Sequence, residues 1–151
     1  MLIFVVCFQI MMPYLMIVFA PGFLEDSEKF NLAILLTRIT FPYLLFISLV
    51  SLMSGVLNSL GKFAAAAATP ILLNICLISA IIILSSFTQT TAHALAWGVS
   101  CAGIIQFVWL LYNCCRSGIW LRLIIPRLTE NIQKMISRIL PAAIGAGVYQ
   151  I

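Results

Sequence analysis

The chain has 151 residues, of which 64% are hydrophobic and 8% are charged, and its net charge is +4. A mean hydropathy of +1.18 excludes a water-soluble domain, because a soluble fold needs a polar surface that this composition cannot supply. The composition therefore predicts an all-α membrane protein that crosses the bilayer several times.

Four apolar stretches fill most of the chain and contain no Asp, Glu, Lys or Arg. They are residues 2–20, 39–57, 64–84 and 92–112. An α-helix rises about 1.5 Å per residue, so runs of about 20 residues reach the roughly 30 Å of a bilayer's hydrocarbon core. The sequence predicts four transmembrane helices, at about residues 2–20, 33–57, 64–84 and 92–113.

Both ends of the sequence indicate a piece of a longer protein. The chain begins directly in apolar sequence, and the 13 residues 139–151 are again uncharged and apolar. A helix of this length covers about 20 Å, which is too short to cross, and a carboxylate buried in hydrocarbon is costly. We therefore expect residues 137–151 to begin a fifth span.

The distribution of basic residues predicts the orientation. Lys and Arg near short loops favour the cytoplasmic side. Two basic residues, Lys29 and Arg38, lie beside the first loop. Six lie at the second and fourth connections: Lys62, Arg116, Arg122, Arg127, Lys134 and Arg138. The side with six basic residues should face the cytoplasm, so that the first span runs from inside to outside.

Residues 116–136 differ from the spans in being amphipathic. Ile132, Met135 and Ile136 recur at helical spacing, while Glu130 and Lys134 form an i,i+4 pair among other polar residues. This pattern predicts a cytoplasmic amphipathic linker that lies in the membrane interface, with its basic groups near anionic headgroups. The alternative is an ordinary intracellular loop whose charges set the topology.

Polar residues inside the spans are the candidate functional residues, because polar groups are costly in hydrocarbon. The candidates are Arg38, Ser48, Ser51, Asn58, Asn74 and Gln106. One interpretation is helix packing, in which small residues permit close approach and amides bond between helices. The other is that these side chains line a hydrated cavity for a polar substrate. Arg38 can likewise be an interfacial anchor or a cation that meets an anionic headgroup.

Motifs for catalysis and cofactor binding are absent from the sequence. The five cysteines show no CxxC spacing, and no Walker loop, GxSxG or HExxH motif occurs. We therefore predict no enzymatic activity, no metal and no cofactor. Membrane lipids are the expected partners, and nucleic acid is not, because the positive charge fits topology and headgroup contact.

A series of motifs resembles the MurJ (MviN-type) lipid II flippase family, and the resemblance runs through almost the whole chain in order. The motifs are Phe19–Phe23, Leu36–Leu49, Gly55–Phe63, Pro70–Ile75, Leu95–Val99, Gly103–Gln106, Leu140–Gly145 and Tyr149–Ile151. The family belongs to the multidrug/oligosaccharidyl-lipid/polysaccharide exporter superfamily, whose members rock two six-helix lobes about a central cavity.

The resemblance implies part of one lobe of a fourteen-helix flippase. Residues 1–115 would be the third to sixth spans, residues 116–136 the linker between lobes, and residues 137–151 the start of the next span. The implied function is translocation of lipid II, the lipid-linked peptidoglycan precursor, across the bacterial inner membrane by alternating access. The family's essential cationic cavity residues lie chiefly in spans that this sequence does not contain.

Two other functions are compatible with the same sequence. A related polysaccharide-lipid flippase or drug exporter of the superfamily would have similar spans. A non-transporting membrane fragment would also have them, since four hairpinned helices form a self-contained piece.

Overall fold

The computed structural model describes residues 2–23 and 26–119, together with the isolated positions 139 and 141. The chain divides by its contacts into two units after Trp120, and the helices that follow belong to the unit Met1–Trp120. Its helices are α1 (Leu2–Phe19), a short 3-10 helix (Pro21–Phe23), α2 (Ser27–Thr40), α3 (Tyr43–Ser59), α4 (Phe63–Ala67), α5 (Thr69–Leu84) and α6 (Thr91–Arg116). The predicted linker beyond residue 119 and the predicted fifth span lie outside the described residues, apart from those two positions.

Four segments of the described chain are helical, long and apolar enough to cross a membrane. They are Leu2–Phe19, Ser27–Ser59, Phe63–Leu84 and Thr91–Arg116. The prediction of an all-α membrane protein with four spans is confirmed. Many outward side chains are apolar, as lipid contact requires; Ile3 is 84% exposed and Ile82 is 71% exposed.

The second helical segment begins well before its apolar run. The Asp26 carboxylate caps the helix by accepting hydrogen bonds from the backbone amides of Glu28 and Lys29, at 3.1 and 3.2 Å. An N-cap of this kind satisfies amide groups that have no partner within the helix. The helix therefore starts at Ser27 in polar sequence, where hydropathy gives no signal.

Proline divides two of the spans into shorter helices. Pro42 separates α2 from α3, and Pro70 lies in the first turn of α5, just after the break at Ala68. Since proline has no N–H group, the carbonyl four residues earlier loses its helical donor. Neighbouring side chains supply the missing donors in both places. Gln9 Nε2 donates to the Arg38 carbonyl at 3.0 Å, and Thr69 Oγ1 to the Ala66 carbonyl at 2.8 Å.

Helix α6 lies at the centre of the bundle and packs against α2, α3, α4 and α5. Its buried face repeats every four residues through Ala94, Gly98, Ala102, Gln106, Leu110 and Cys114. The first three residues are small and allow close helix approach, and the last three are larger buried side chains. Near the Arg116 end, Leu110 and Cys114 join a buried cluster with Val50, Met53, Leu57 and Ala65.

Two glycines of α6 mark the closest contacts between helices. A Cβ atom placed on Gly98 would lie 2.7 Å from the Cβ of Ala80 on α5. A Cβ atom on Gly103 would lie 2.8 Å from Cδ2 of Tyr43 on α3. Both distances are shorter than van der Waals contact, so the bundle depends on glycine at these positions.

Candidate functional site

A cavity of about 680 Å³ lies between the second span and α6. Asn31 and Arg38 of α2 and Ser100 of α6 supply its polar lining, and Trp97 supplies an aromatic wall. The remaining lining residues are aliphatic, aromatic or proline, and include Leu35 and Ile104. The cavity therefore combines one cation and a few hydrogen-bonding groups with a mainly apolar surface.

The helical periodicity of α2 brings its lining residues to one face. Asn31, Ile34, Leu35 and Arg38 are spaced i, i+3, i+4 and i+7, and all four line the cavity. On the facing helix, the Ser100 hydroxyl donates a hydrogen bond to the carbonyl of Ile39. This bond joins α6 to the end of α2 and holds the two walls together at the level of Arg38.

Arg38 is the cation of this cavity, and its side chain is exposed. The ion pair found among the described residues joins Lys29 Nζ to the Asp26 carboxylate at 2.9 Å, and Arg38 has no part in it. A guanidinium group can donate up to five hydrogen bonds and matches phosphate and carboxylate oxygens in pairs. Within the described chain, Arg38 is therefore available to an anion.

Helix lengths place Arg38 and Trp97 at the same boundary of the membrane. The hydrocarbon core takes about 20 helical residues. Arg38 lies about 20 residues before Ser59, the last residue of α3. Trp97 lies about 20 residues before Arg116, the last residue of α6. Tryptophan is enriched at the interface between headgroups and hydrocarbon. The cavity therefore opens at one membrane interface and extends into the adjoining leaflet.

The predicted serines and asparagine of the second span lie elsewhere, on α3. Ser51 and Asn58 are exposed, and a Cβ placed on Gly55 between them would meet no atom within 4 Å. Ser48 lies on the same side and donates to the carbonyl of its own helix at Leu44, at 2.7 Å. These residues form a polar strip away from the buried face of Val50, Met53 and Leu57.

The two predicted amides have different environments. Gln106 is 2% exposed. Its Nε2 donates to the Thr69 carbonyl at 2.7 Å, and its Oε1 accepts from the Tyr43 hydroxyl at 3.4 Å, so it joins α6 to α5 and α3. Asn74 is exposed on α5. The contacts of Gln106 are those of a packing residue, whereas Asn74 presents its amide to the outside of the described bundle.

The structure does not gather the six candidate residues into one site. Arg38 lines the cavity, while Ser48, Ser51 and Asn58 share the strip on α3. Sequence reasoning did not select Asn31, Trp97 or Ser100 as candidates. The i, i+7 spacing of Asn31 and Arg38 could have indicated their shared face, had the helix been extended to Ser27.

Metal-binding chemistry is not provided by the described residues. Among them no group of three or more His, Cys, Asp or Glu side chains is arranged to hold a metal ion. The five cysteines are free thiols dispersed along the helices. What the cavity offers is hydrogen bonding and the cation of Arg38.

Comparison with known proteins identifies the family. A family model described as lipid II flippase MurJ matches residues 1–151. A probable lipid II flippase MurJ of Rhizobium tropici is 42% identical over 154 residues, which cover 99% of this chain and 29% of that protein. A probable lipid II flippase MurJ of Rickettsia prowazekii is 35% identical over 150 residues, again covering 99% of this chain and 29% of the relative.

A shorter match supports the same assignment. The lipid II flippase MurJ of Burkholderia cenocepacia is 43% identical over 89 residues, which cover 59% of this chain and 17% of that protein. The chain thus spans 29% of the length of the first two relatives. Because the family model matches this chain from residue 1 to residue 151, the chain belongs to the MurJ lipid II flippase family.

Proposed function

We propose that this chain is part of a lipid II flippase, which moves the lipid-linked peptidoglycan precursor across the bacterial inner membrane by alternating access. The observation that carries the proposal is the family match over residues 1–151, together with four spans in the described chain. A charged headgroup cannot cross hydrocarbon unaided, whereas a lipid tail can remain in the bilayer. The protein therefore has to shelter the headgroup, and the substrate leaves without covalent change, so the activity is transport and not catalysis.

The polar strip of α3 is the part of the described bundle that we assign to the transport cavity. Ser51, Gly55 and Asn58 are exposed on one side of the helix, and polar groups are costly where they face lipid tails. The exposed amide of Asn74 on α5 supports a similar role. Gln106 is assigned to packing, because its amide is buried between helices.

The domain organisation follows from the same proposal. Residues 1–115 contribute four helices to one lobe, residues 116–136 form a cytoplasmic amphipathic linker, and residues 137–151 begin the next span. The basic residues from Arg116 to Arg138 support a cytoplasmic position for the linker. Membrane lipids and the lipid-linked precursor are the proposed partners.

A chimeric flippase tests the proposed function. Residues 1–151 would replace the matching segment of the Rhizobium tropici relative, and the chimera would be expressed in cells depleted of their own flippase. We expect restored growth and cell shape, and lipid II translocation when the purified chimera is reconstituted in vesicles. The matched control is the same relative with the segment deleted. A chimera that inserts at the normal level but leaves lipid II in its original leaflet would refute the proposal.

A further inference from the structure

We propose that the cavity between α2 and α6 is a binding site for an anionic glycerophospholipid of the bilayer, whose phosphate contacts Arg38 and whose acyl chain lies along the apolar lining. This site is separate from the polar strip of α3. The proposal does not depend on the transport proposal, since it concerns a structural lipid and not a transported one.

Charge complementarity identifies the headgroup end. Arg38 is exposed at the cavity, and among the described residues it is not part of an ion pair. Asn31 lies seven residues earlier on the same face, about 10 Å further from the membrane centre, where its amide can meet the polar headgroup alcohol beyond the phosphate. Bidentate hydrogen bonds between a guanidinium and a phosphate are among the strong charge-assisted contacts.

The apolar lining identifies the acyl-chain end. Phe46 and Ile104, eight residues after Arg38 and seven after Trp97, extend the cavity from the level of Arg38 into the leaflet. Ile104 is 48% exposed, so the α6 wall has free apolar surface for a hydrocarbon chain. A free inorganic phosphate is a poorer occupant, because it would contact Arg38 but leave the apolar surface uncovered. A zwitterionic lipid is also poorer, because its headgroup would bring a second cation towards Arg38.

The depth of Arg38 and Trp97 in the membrane agrees with the depth of a phospholipid headgroup. Arg38 and Trp97 both lie about 20 residues from the far ends of their spans, which puts them at one hydrocarbon boundary. The phosphates of a bilayer lie just outside that boundary, within reach of a long arginine side chain. The Ser100 hydroxyl donates a hydrogen bond to the carbonyl of Ile39, the residue after Arg38, and so joins α6 to α2 next to the proposed phosphate site.

Native mass spectrometry of the full 151-residue chain in detergent tests the proposal. Phosphatidylglycerol and phosphatidylcholine with identical acyl chains would be titrated separately, with inorganic phosphate as a competitor. We expect roughly tenfold tighter retention of phosphatidylglycerol, the size expected of one charge-assisted contact, and no displacement by phosphate. Equal retention of the two lipids, or displacement by inorganic phosphate, would overturn the assignment.

Variants separate the headgroup contact from the groove. Arg38→Gln should abolish the preference for phosphatidylglycerol, and Arg38→Lys should keep part of it. Arg116→Gln, at the other end of α6, is the matched charge control and should keep the preference. Ile104→Trp should lower retention of phosphatidylglycerol by filling the groove, whereas Ile82→Trp on an exposed face of α5 should not. If Arg38→Gln, folded by circular dichroism, retains the preference, the proposal is wrong.

Photocrosslinking in membranes decides between a lipid and another protein segment as the occupant. A benzophenone amino acid at Leu35 would react with whatever fills the cavity. We expect an adduct with the mass of a phospholipid, which Arg38→Gln depletes of anionic species. Should Arg38→Gln prove unfolded, the adduct of Arg38→Lys should contain a smaller anionic share than that of the protein with Arg38 unchanged, and an equal share would contradict the proposal. A crosslink to polypeptide in place of lipid would contradict the proposal.

Discussion

Gln106 donates a hydrogen bond from Nε2 to the backbone carbonyl oxygen of Thr69, at 2.7 Å, and so links α6 to the first residue of α5. One turn away, Trp109 Nε1 donates to the Ala65 carbonyl of α4 at 3.1 Å. Both bonds reach the point where Pro70 interrupts the third span. The carbonyl that Pro70 leaves without a helical donor is that of Ala66, and the Thr69 hydroxyl pairs it. Helix α6 adds side-chain donors to carbonyls on either side of Ala66 and so holds the two short helices together at the break.

We predict that Gln106→Leu destabilises the bundle by about 1 kcal/mol, within the range measured for hydrogen bonds between membrane helices. The substitution keeps most of the side-chain volume but removes both contacts, to the Thr69 carbonyl and the Tyr43 hydroxyl. Equilibrium unfolding in mixed micelles measures the change in the free energy of unfolding.

Asn74→Leu is the matched control for this prediction, because Asn74 is an amide on an exposed face. We expect it to change the free energy of unfolding by less than about 0.5 kcal/mol, as surface substitutions usually do. If both variants lowered the free energy of unfolding equally, the stabilisation by the Gln106 amide would not depend on its burial between helices.

A second prediction concerns the contact between α5 and α6. Gly98→Ala should cost roughly 1–3 kcal/mol, because the added methyl group would lie 2.7 Å from the Cβ of Ala80 and force the helices apart. Gly55→Ala is the control: it meets open space, and alanine is the better helix former, so stability should stay the same or rise. Both are measured by the same unfolding experiment.

Combining Gly98→Ala with Ala80→Gly should recover much of the loss, since it removes the other half of the clash. The two sites are in contact, so their effects should be strongly non-additive. Additive losses in the double variant would mean that the cost of Gly98→Ala arises from something other than this contact.

The spans could be predicted because their signal is local. A run of about 20 residues without charge meets the length requirement of the bilayer irrespective of what surrounds it. The start of the second helix at Ser27 could not be placed in this way. It depends on the Asp26 cap and on a polar first turn, in which the sequence Ser27-Glu28-Lys29 resembles a loop by composition.

The candidate site was only partly predictable, because it depends on contacts between distant segments. Arg38 stands out as a charge beside an apolar run, but Ser100 becomes part of the site through its bond to Ile39, 61 residues away. Gln106 and Asn74 are equivalent as polar residues in apolar sequence. Gln106 is the buried one because α6 packs against several helices, and the sequence pattern of one helix cannot predict that packing.

The third prediction is a pH effect at the start of α2. The side-chain contact from Lys29, with Nζ 2.9 Å from the carboxylate, and the amide hydrogen bonds from Lys29 and Glu28 hold the pKa of Asp26 below its ordinary value. Because the folded pKa is the lower one, the cap stabilises the helix at pH above the unfolded pKa of about 3.9. This contribution is lost as the pH falls through the folded pKa.

Amide proton chemical shifts measure this titration directly. The shifts of Glu28 and Lys29 should move together, with a midpoint below that of an unperturbed aspartate. Asp26→Asn keeps an N-cap acceptor but cannot ionise, so its spectrum should lack the step while the helix still begins at Ser27. A midpoint at or above the ordinary aspartate value would show that the cap does not favour the charged form.

The fourth prediction is the orientation of the bundle. Lys62 and the basic residues from Arg116 onward should face the cytoplasm, because they outnumber those on the opposite side. In a variant without the five native cysteines, Ser86→Cys in the turn before α6 should react with an impermeant maleimide on intact cells. Ser59→Cys at the end of α3 should react only after the membrane is opened.

Charge removal shows whether the basic residues cause this orientation. Lys62→Gln alone should leave the labelling unchanged, since five basic residues from Arg116 to Arg138 remain near the fourth connection. Neutralising those five together with Lys62 should produce a mixed or inverted population, because Lys29 and Arg38 would then be the basic residues that remain. Labelling of Ser59→Cys on intact cells in the otherwise unchanged chain would reverse the assignment of every loop.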